Sequence, residues 1–582
     1  MTQSRDLDPA ERAVLSTTMG GPGTAVPPLE GTAGLPQPAQ PERVNRWALW
    51  LASVRSQSLE RSLDRVLIVL CIASGAVTHA YHLFVYPLYT TDEGIYIQQA
   101  WSVLSQARLS PYTYFYDHAP GGWLMIAAYA AALPMQFQTF GSAINTGRVL
   151  MVLVHVANVF FLFHIAYRLS GRRLAAVVAC FIFNFSPLAV FYQRQVLLDN
   201  LMVFWILLSV YLLTREDRRV VTATLSGLAC GMAVITKENA IFLAPVILYL
   251  LHRQVQSSVN RRFAVSYWSM AAFGPVSVYL FYAVMKNELL PSRLNFSLSS
   301  PPTDHVSLLW TVWWQLNRNQ GSILDPHSAF WKLSFDSWLP KDHLFLIGGG
   351  AAILIALVMG MRDREERLGF YVAGLLAASY AIYLIRGSVM LEFYVLPLIP
   401  LLALNVGMVL DRLLRRTPAV FKVLAVAVLI ALLVTPFGGY VWKRNDNGRV
   451  GVTDMYNLQM TLVEQQELAY VRQHVPPSAR IIMDDELWTD LHDRSPVYKN
   501  AHSHWKASGD PAIRDRIFHK DWHNIDYVVM SNRMRQAMEG NNGDGNESWI
   551  LDAIDNHSTL VWSRGMGNVE VRIYKIEHAN ES

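Results

Sequence analysis

Two adjacent acids, Asp92 and Glu93, lie near the start of the stretch YTTDEGIYIQQAWSVLSQARLSPYTYFYDHAPGGW at residues 89–123, which ends with Asp117-His118 and two glycines. Further along, polar residues interrupt the ends of apolar runs: Arg148; Tyr192, Gln193 and Arg194; Asp199; Lys237 and Glu238; Arg386 and Glu392. These residue types divide labour. A carboxylate beside cations stays ionised near neutral pH and can take a proton from an attacking hydroxyl or amine. Arginine offers a planar fork to phosphate oxygens, and lysine a compact charge. An acid that activates a nucleophile and cations that hold a phosphate suit group transfer from a phosphate-bearing lipid.

Each residue also has a plainer reading. Arg148, taken alone, is a snorkelling anchor at a helix end. Asp199 precedes an apolar run and suits a helix N-cap. His118 could be an interfacial histidine, and Lys237 with Glu238 a local ion pair. The plain readings weaken once the elements carrying these residues are placed.

Of 582 residues, 52% are hydrophobic and only 16% charged, where a soluble protein has about a quarter charged. The apolar residues gather in blocks of about 20, the length that crosses a bilayer. The chain therefore reads as a polytopic α-helical membrane protein. Its expected spans are 65–86, 146–167, 174–192, 197–214, 220–236, 239–252, 263–285, 343–361, 368–386, 389–411 and 418–441, about eleven. The apolar run 122–140 decides the topology. If it does not cross, the Arg-rich clusters at 168–173, 215–219, 253–262, 362–367 and 412–416 fall on the side of the N-terminal tail, as the excess of basic residues in cytoplasmic loops requires. It is accordingly read as a helix lying in the outer interface, partnered by 94–108. The N-terminus is then cytoplasmic and the C-terminus outside, and the polar residues above share the outer rim. Charges at membrane depth are costly and tend to mark pathways or sites.

Residues 1–62, rich in Pro, Gly, Ala and Thr at their start, read as a disordered cytoplasmic tail, and 63–441 as the membrane domain. Residues 442–582 alternate polar stretches with β-like runs at 480–483, 525–530, 560–562 and 569–574, after a helical pattern at 461–474. They read as a small extracytoplasmic α/β domain. Cys71, Cys180 and Cys230 sit in apolar segments and read as buried hydrophobes. No metal motif or disulfide framework is visible.

The Asp92-Glu93 pair after the first apolar segment, the His118-Ala119-Pro120 turn and the Gly122-Trp123 opening of the next helix resemble the GT-C glycosyltransferases, closest to the protein O-mannosyltransferases and lipid A aminoarabinose transferases. Tyr192-Gln-Arg-Gln-Val-Leu-Leu-Asp199 and Thr236-Lys237-Glu238-Asn239 are similar to segments of those families. One proline of the family's turn is replaced here by Ala119. The resemblance implies a hexosyl- or pentosyltransferase using a polyprenyl-phosphate sugar, in the plasma membrane, acting in cell-envelope glycosylation on a protein, lipid or polysaccharide acceptor, with no nucleic-acid partner. It implies Asp92 as general base, with Glu93 as the alternative. Asp117, His118, Arg148, Tyr192, Asp199 and Glu238 would line the substrate cavity, and Arg194, Lys237 and Arg386 would hold the phosphate. No cofactor is required; a divalent metal is compatible but not demanded.

Two other functions compete. A lipid-linked sugar transporter or flippase commonly shows inverted repeats and mid-bilayer charges; here no repeat is seen and the charges lie at one rim. A non-catalytic envelope glycan-binding protein would not need the rim charges.

Overall fold

The computed structural model describes residues 46–215, 220–255, 258–291, 306–318, 323–362, 367–386, 390–415, 461–540, 547–566 and 569–578, with scattered residues at 321, 417–431 and 459, and side chains from Glu60 onward. Its contacts divide into two units, 1–61 and Ser62–Ser582, and every element after the first helix belongs to the second. The expected tail, 1–62, lies outside the described residues up to 45. The first helix, α1 (Arg46–Ala80), already begins at Arg46, ahead of the boundary drawn at 62. No proline or glycine interrupts the chain between Pro41 and Gly75, so the helix has nothing to stop it there.

After α1 come two helices inserted before the next long one, α2 (Thr91–Gln106) and α3 (Gly121–Ala131). The body continues with α4 (Ala143–Ser170), α5 (Arg173–Phe185), α6 (Pro187–Tyr192), α7 (Leu198–Leu213), α8 (Val220–Thr236), α9 (Ala244–Gln254), α10 (Ser258–Met285) and α11 (Leu308–Asn317). It closes with α12 (Ala329–Leu333), α13 (Leu339–Arg362), α14 (Arg367–Ile385) and α15 (Leu398–Leu414).

The protein is a multi-pass membrane protein. Among the described residues, six helices are long and apolar enough to cross a bilayer: 60–80, 143–170, 259–285, 329–362, 368–385 and 392–414. α3, α5, α7 and α8 are shorter apolar helices. The expected span 174–192 is broken at Ser186-Pro187: Ser186 Oγ accepts from Ala189 N, and Pro187 opens α6 at a position where it suits a helix start. The expected span 239–252 is a 3₁₀ turn, Glu238–Leu243, followed by α9. Of the last expected span, 418–441, only residues up to 431 are described, those at 420–425, 427, 428 and 431 as helix, and the rest lies outside the described residues. Large apolar side chains are exposed along α1 (Val66, Val69, Val77), α10 (Phe263, Met270, Phe273, Val278) and α13 (Ile347, Leu354, Met361), as lipid-facing helices require.

The run 122–140 does not form one long helix. α3 has 11 residues, about 16 Å, and a 3₁₀ turn follows at Gln136–Gln138. Its start is pressed against α8: a Cβ on Gly121 would lie 2.8 Å from the Ile235 carbonyl oxygen. α2 begins with a capping box, in which the Thr90 backbone N–H donates to Glu93 Oε2 at 3.2 Å.

The C-terminal region opens with α16 (Thr461–His474) and carries a five-stranded sheet. The strands β1 (Ile481–Met483), β2 (Ala501–Ser503), β3 (Tyr527–Ser531), β4 (Ser558–Met566) and β5 (Val569–Ile576) are ordered β2-β1-β3-β5-β4. β1 pairs parallel with β2 and β3, and β5 pairs antiparallel with β3 and β4. Four of these strands match the β-like runs of the sequence. β2 does not: it is as short as β1, but its residues, Ala-His-Ser, include no β-branched or aromatic side chain, whereas β1 is Ile-Ile-Met.

Candidate active site

The polar residues separate into a chamber and a framework. Asp92 heads the chamber from the first turn of α2, where Tyr96 Oη donates to Oδ1 at 3.4 Å. The charges acting on Asp92 come from Lys237, His118 and Asp199, on three other segments. Burial raises its affinity for a proton, the Asp199 charge adds to that, and Lys237 and His118 oppose both. Lys237 follows the end of α8, and its Nζ donates to Asp199 Oδ2 at 2.6 Å, with both side chains buried. The same ammonium sits 4.2 Å from the Tyr394 ring centroid and 5.1 Å from that of Phe393. Among the described residues, Asp199 Oδ1 has no hydrogen-bond partner.

Glu238 does not pair with Lys237. Its Oε1 accepts from the Ala119 N–H at 2.6 Å, and its Oε2 lies 3.5 Å from His118 Nδ1. Burial weakens the proton affinity of His118, but the hydrogen bond and charge of Glu238 outweigh that and raise it. The turn is closed by Tyr114, whose hydroxyl donates to the His118 carbonyl at 2.8 Å. Asp117 adds its charge to His118, and its carbonyl accepts from Gln315 of α11 at 3.4 Å. Arg318, just past α11, lies over the Trp314 ring and donates to Gln315 Oε1 at 3.2 Å; burial lowers its proton affinity, against the charge of Asp117. Segments far apart in sequence thus bring Asp92, Asp117, His118, Asp199, Lys237 and Glu238 to one place.

Glu93, Arg148 and Arg194 are built into the framework. Arg148 is wholly buried and binds Glu93 through both carboxylate oxygens, at 2.8 and 2.7 Å. It also donates to the carbonyls of Pro87 and Leu88, at 2.8 and 3.2 Å. It is therefore not a snorkelling anchor. Glu93 Oε1 accepts in addition from the Val196 N–H at 2.9 Å. Arg194, also wholly buried, donates to the carbonyls of Thr78, Tyr81, Tyr86 and Val190 and so fixes the chain at the end of α1. Tyr192 donates to Glu392 Oε2 at 2.6 Å, and Lys341 joins them at 3.2 Å from the tyrosine oxygen. Arg386 is exposed and lies over the Tyr383 and Phe242 rings.

Tyr96, Tyr394, Arg318 and Lys341 are not among the residues that the sequence singles out. Tyr96 carries a signal, standing one helical turn after Asp92 on α2. Arg318 ends the aromatic run Trp310–Trp314, in a segment that reads only as a loop. Among the described residues, no group of three or more metal-ligating side chains is placed to hold an ion.

Residues 117–282, under a third of the chain, match the model of the dolichyl-phosphate-mannose-protein mannosyltransferase family. The stretch runs from Asp117 through Lys237 and Glu238, the heart of the chamber. The structure of ArnT from Cupriavidus metallidurans bound to undecaprenyl phosphate superposes with a TM-score of 0.56 at 14% identity, over 87% of this chain and 97% of that one. The fold is that of the GT-C glycosyltransferases. The oligosaccharyltransferase of Archaeoglobus fulgidus tethered to an acceptor peptide gives 0.53 at 11% identity, over 89% of this chain and 74% of that one. AglB from the same organism, in complex with an inhibitory peptide and a dolichol-phosphate, gives 0.51 at 11%, over 90% and 75%. No curated protein matches the chain by sequence.

Proposed function

We propose that the protein is a membrane glycosyltransferase that moves a sugar, a hexose or a pentose, from a polyprenyl-phosphate donor to an acceptor at the outer face of the plasma membrane, in envelope glycosylation. The observation that carries this reading is the convergence of Asp92 with Lys237, His118 and Asp199 in one polar chamber of an apolar helical body. The matched family and the similar structures act on, or were solved with, polyprenyl phosphates. In this reading the N-terminus is cytoplasmic, residues 63–441 form the membrane domain, and 442–582 stand outside.

The residues divide the reaction between them. The Asp92 carboxylate accepts the proton of the acceptor hydroxyl or amine as that atom attacks the anomeric carbon. The bond from that carbon to the phosphate oxygen breaks, and the electron pair leaves with the phosphate. Lys237, His118 in its protonated form, and Arg318 stabilise the charge that gathers there. Arg386 on the rim is placed to meet the lipid phosphate before it enters. One acid without a second carboxylate acting as nucleophile favours direct displacement with inversion. Glu93, Arg148 and Arg194 hold the chamber's walls, and Asp117, Tyr192 and Glu238 set the loop and rim around the substrate.

The test uses the purified full chain in nanodiscs, with lipid-linked sugars extracted from the native membrane as donor. Asp92→Asn keeps the fold and lowers transfer by about 100-fold or more, the usual scale for a positioned base. Transfer at the parent rate by a folded Asp92→Asn protein would falsify the assignment.

A further inference from the structure

We infer that Asp510, in the C-terminal sheet region, is a positioning residue for the transfer, because it fixes the loop that carries Asp117 and His118. The inference rests on the glycosyltransferase reading for its consequence, but not for its geometry. Asp510 is wholly buried. Its Oδ2 accepts from the Thr113 backbone N–H at 2.8 Å and its Oδ1 from the Thr113 hydroxyl at 3.0 Å. Oδ1 also accepts from Ala512 N at 2.9 Å, capping a short helix of its own region. A cap needs only one oxygen. The other is directed wholly at a loop 397 residues away in the chain.

The neighbours of Asp510 hold the same loop. The Ser503 N–H donates to the Tyr112 hydroxyl at 3.3 Å. Lys506, almost wholly buried, lies 4.3 Å from the Phe115 centroid and 4.0 Å from that of Trp505. Directly after Thr113, the Tyr114 hydroxyl closes the turn onto the His118 carbonyl. Fixing Thr113 therefore fixes where that turn presents Asp117 and His118. Hydrogen bonds to an ionised acceptor are shorter and about twice as strong as neutral ones, and misplacing a reacting group by about 1 Å can cost about 100-fold in rate. Asp510 touches no reacting atom and acts through Thr113.

Simple adhesion between the two regions would also use these bonds, so the test reads the chemistry of His118. Asp92, Asp117, Lys237, Glu238 and the edge-packed Tyr96 ring all face that imidazole. Undecaprenyl phosphate binding to the full chain in nanodiscs is measured across the titration of His118, together with amide exchange at 113–118. In the parent, affinity falls as His118 loses its proton. Asp510→Ala and Thr113→Val lower affinity by about threefold to tenfold, about 0.7 to 1.4 kcal/mol. They also flatten that pH step and speed exchange at 113–118, while Thr113→Ser keeps the parent behaviour.

The inference is overturned if both variants retain the parent's pH step and its exchange. If Asp510→Ala does not fold, Thr113→Val decides. If the parent binds no undecaprenyl phosphate at any pH, the glycosyltransferase reading fails instead. Exchange alone then judges the positioning role: faster at 113–118 in Thr113→Val supports it, and unchanged exchange refutes it.

Discussion

Asp92 and Glu93 stand one position apart on α2, a step that turns their side chains about 100° from each other around the helix axis. Asp92 thereby faces the chamber, while Glu93 turns inward to Arg148 and the Val196 N–H. The sequence shows two equivalent acids; which one is free for chemistry depends on helix phase and on an arginine 55 residues away. A similar difference separates the cations. Lys237, Arg148, Arg194 and Arg386 read alike at the ends of apolar runs, but only the structure shows which are spent on backbone carbonyls. The consequence is measurable as stability. Arg148→Ala leaves the Glu93 carboxylate buried without its counter-charge, so it costs about 3–5 kcal/mol, whereas Arg386→Ala, which removes only an exposed cation from over the Tyr383 and Phe242 rings, costs about 1 kcal/mol or less. Chemical unfolding of the two purified variants checks this, and equal losses would contradict the division into framework and rim.

At the level of elements, hydropathy locates the long helices, α16 and four of the five strands of the sheet, because lipid-facing helices and apolar or half-buried strands carry their pattern in consecutive residues. It does not locate β2, the break at Ser186-Pro187, or the 3₁₀ turn that aims Glu238 at the His118 turn, each a matter of a few residues. Nor does it show how α2 meets the C-terminal sheet. Gln98 Nε2 donates to Asp485 Oδ1 at 2.7 Å, Trp101 Nε1 to Asp493 Oδ1 at 2.8 Å, and Thr91 Oγ1 to Glu486 Oε1 at 3.3 Å. Gly94 allows this approach: a Cβ there would strike the Asp485 carbonyl group and come within 2.8 Å of the Glu486 nitrogen. These are backbone atoms and do not yield as a side-chain tip would. On an isolated helix, alanine at this position would gain about 1 kcal/mol. Here Gly94→Ala is expected to lose about 1–3 kcal/mol through overpacking. Faster amide exchange across Met483–Leu487 in the variant would report the opened contact, and unchanged protection there would show that the helix can shift without cost.

Across the whole molecule, the join between α2, α16 and the sheet is rich in carboxylates. Leu88, Glu464, Glu467, Asp484, Glu486 and Arg533 line one small cavity. Burial pushes the Glu464 carboxyl from 4.5 up to about 8, against the pull of Arg148 and the Tyr89 N–H. Burial and neighbouring acids raise Glu467 and Glu486, and burial raises Asp484 against the charge of His504. A carboxyl whose proton is held more tightly in the folded state contributes stability that is complete below its unfolded value and is lost as pH climbs through its folded value. For Glu464 the loss runs from 4.5 to about 8. Lys506 works in the opposite sense over a separate range. Burial lowers it from 10.5 to about 8, so the unfolded chain holds the extra proton and stability rises with pH between those values. The two windows meet near pH 8, where the join should be weakest. Unfolding of the C-terminal region, followed by tryptophan emission, is expected to show its lowest midpoint there and to recover on either side. Glu464→Gln should flatten the acidic limb and leave the alkaline one, while Lys506→Met should do the reverse. A midpoint that rises steadily from acid to alkali in the parent would mean that these carboxylates are ionised in the folded protein, and that the cavity they line is far better hydrated than its burial implies.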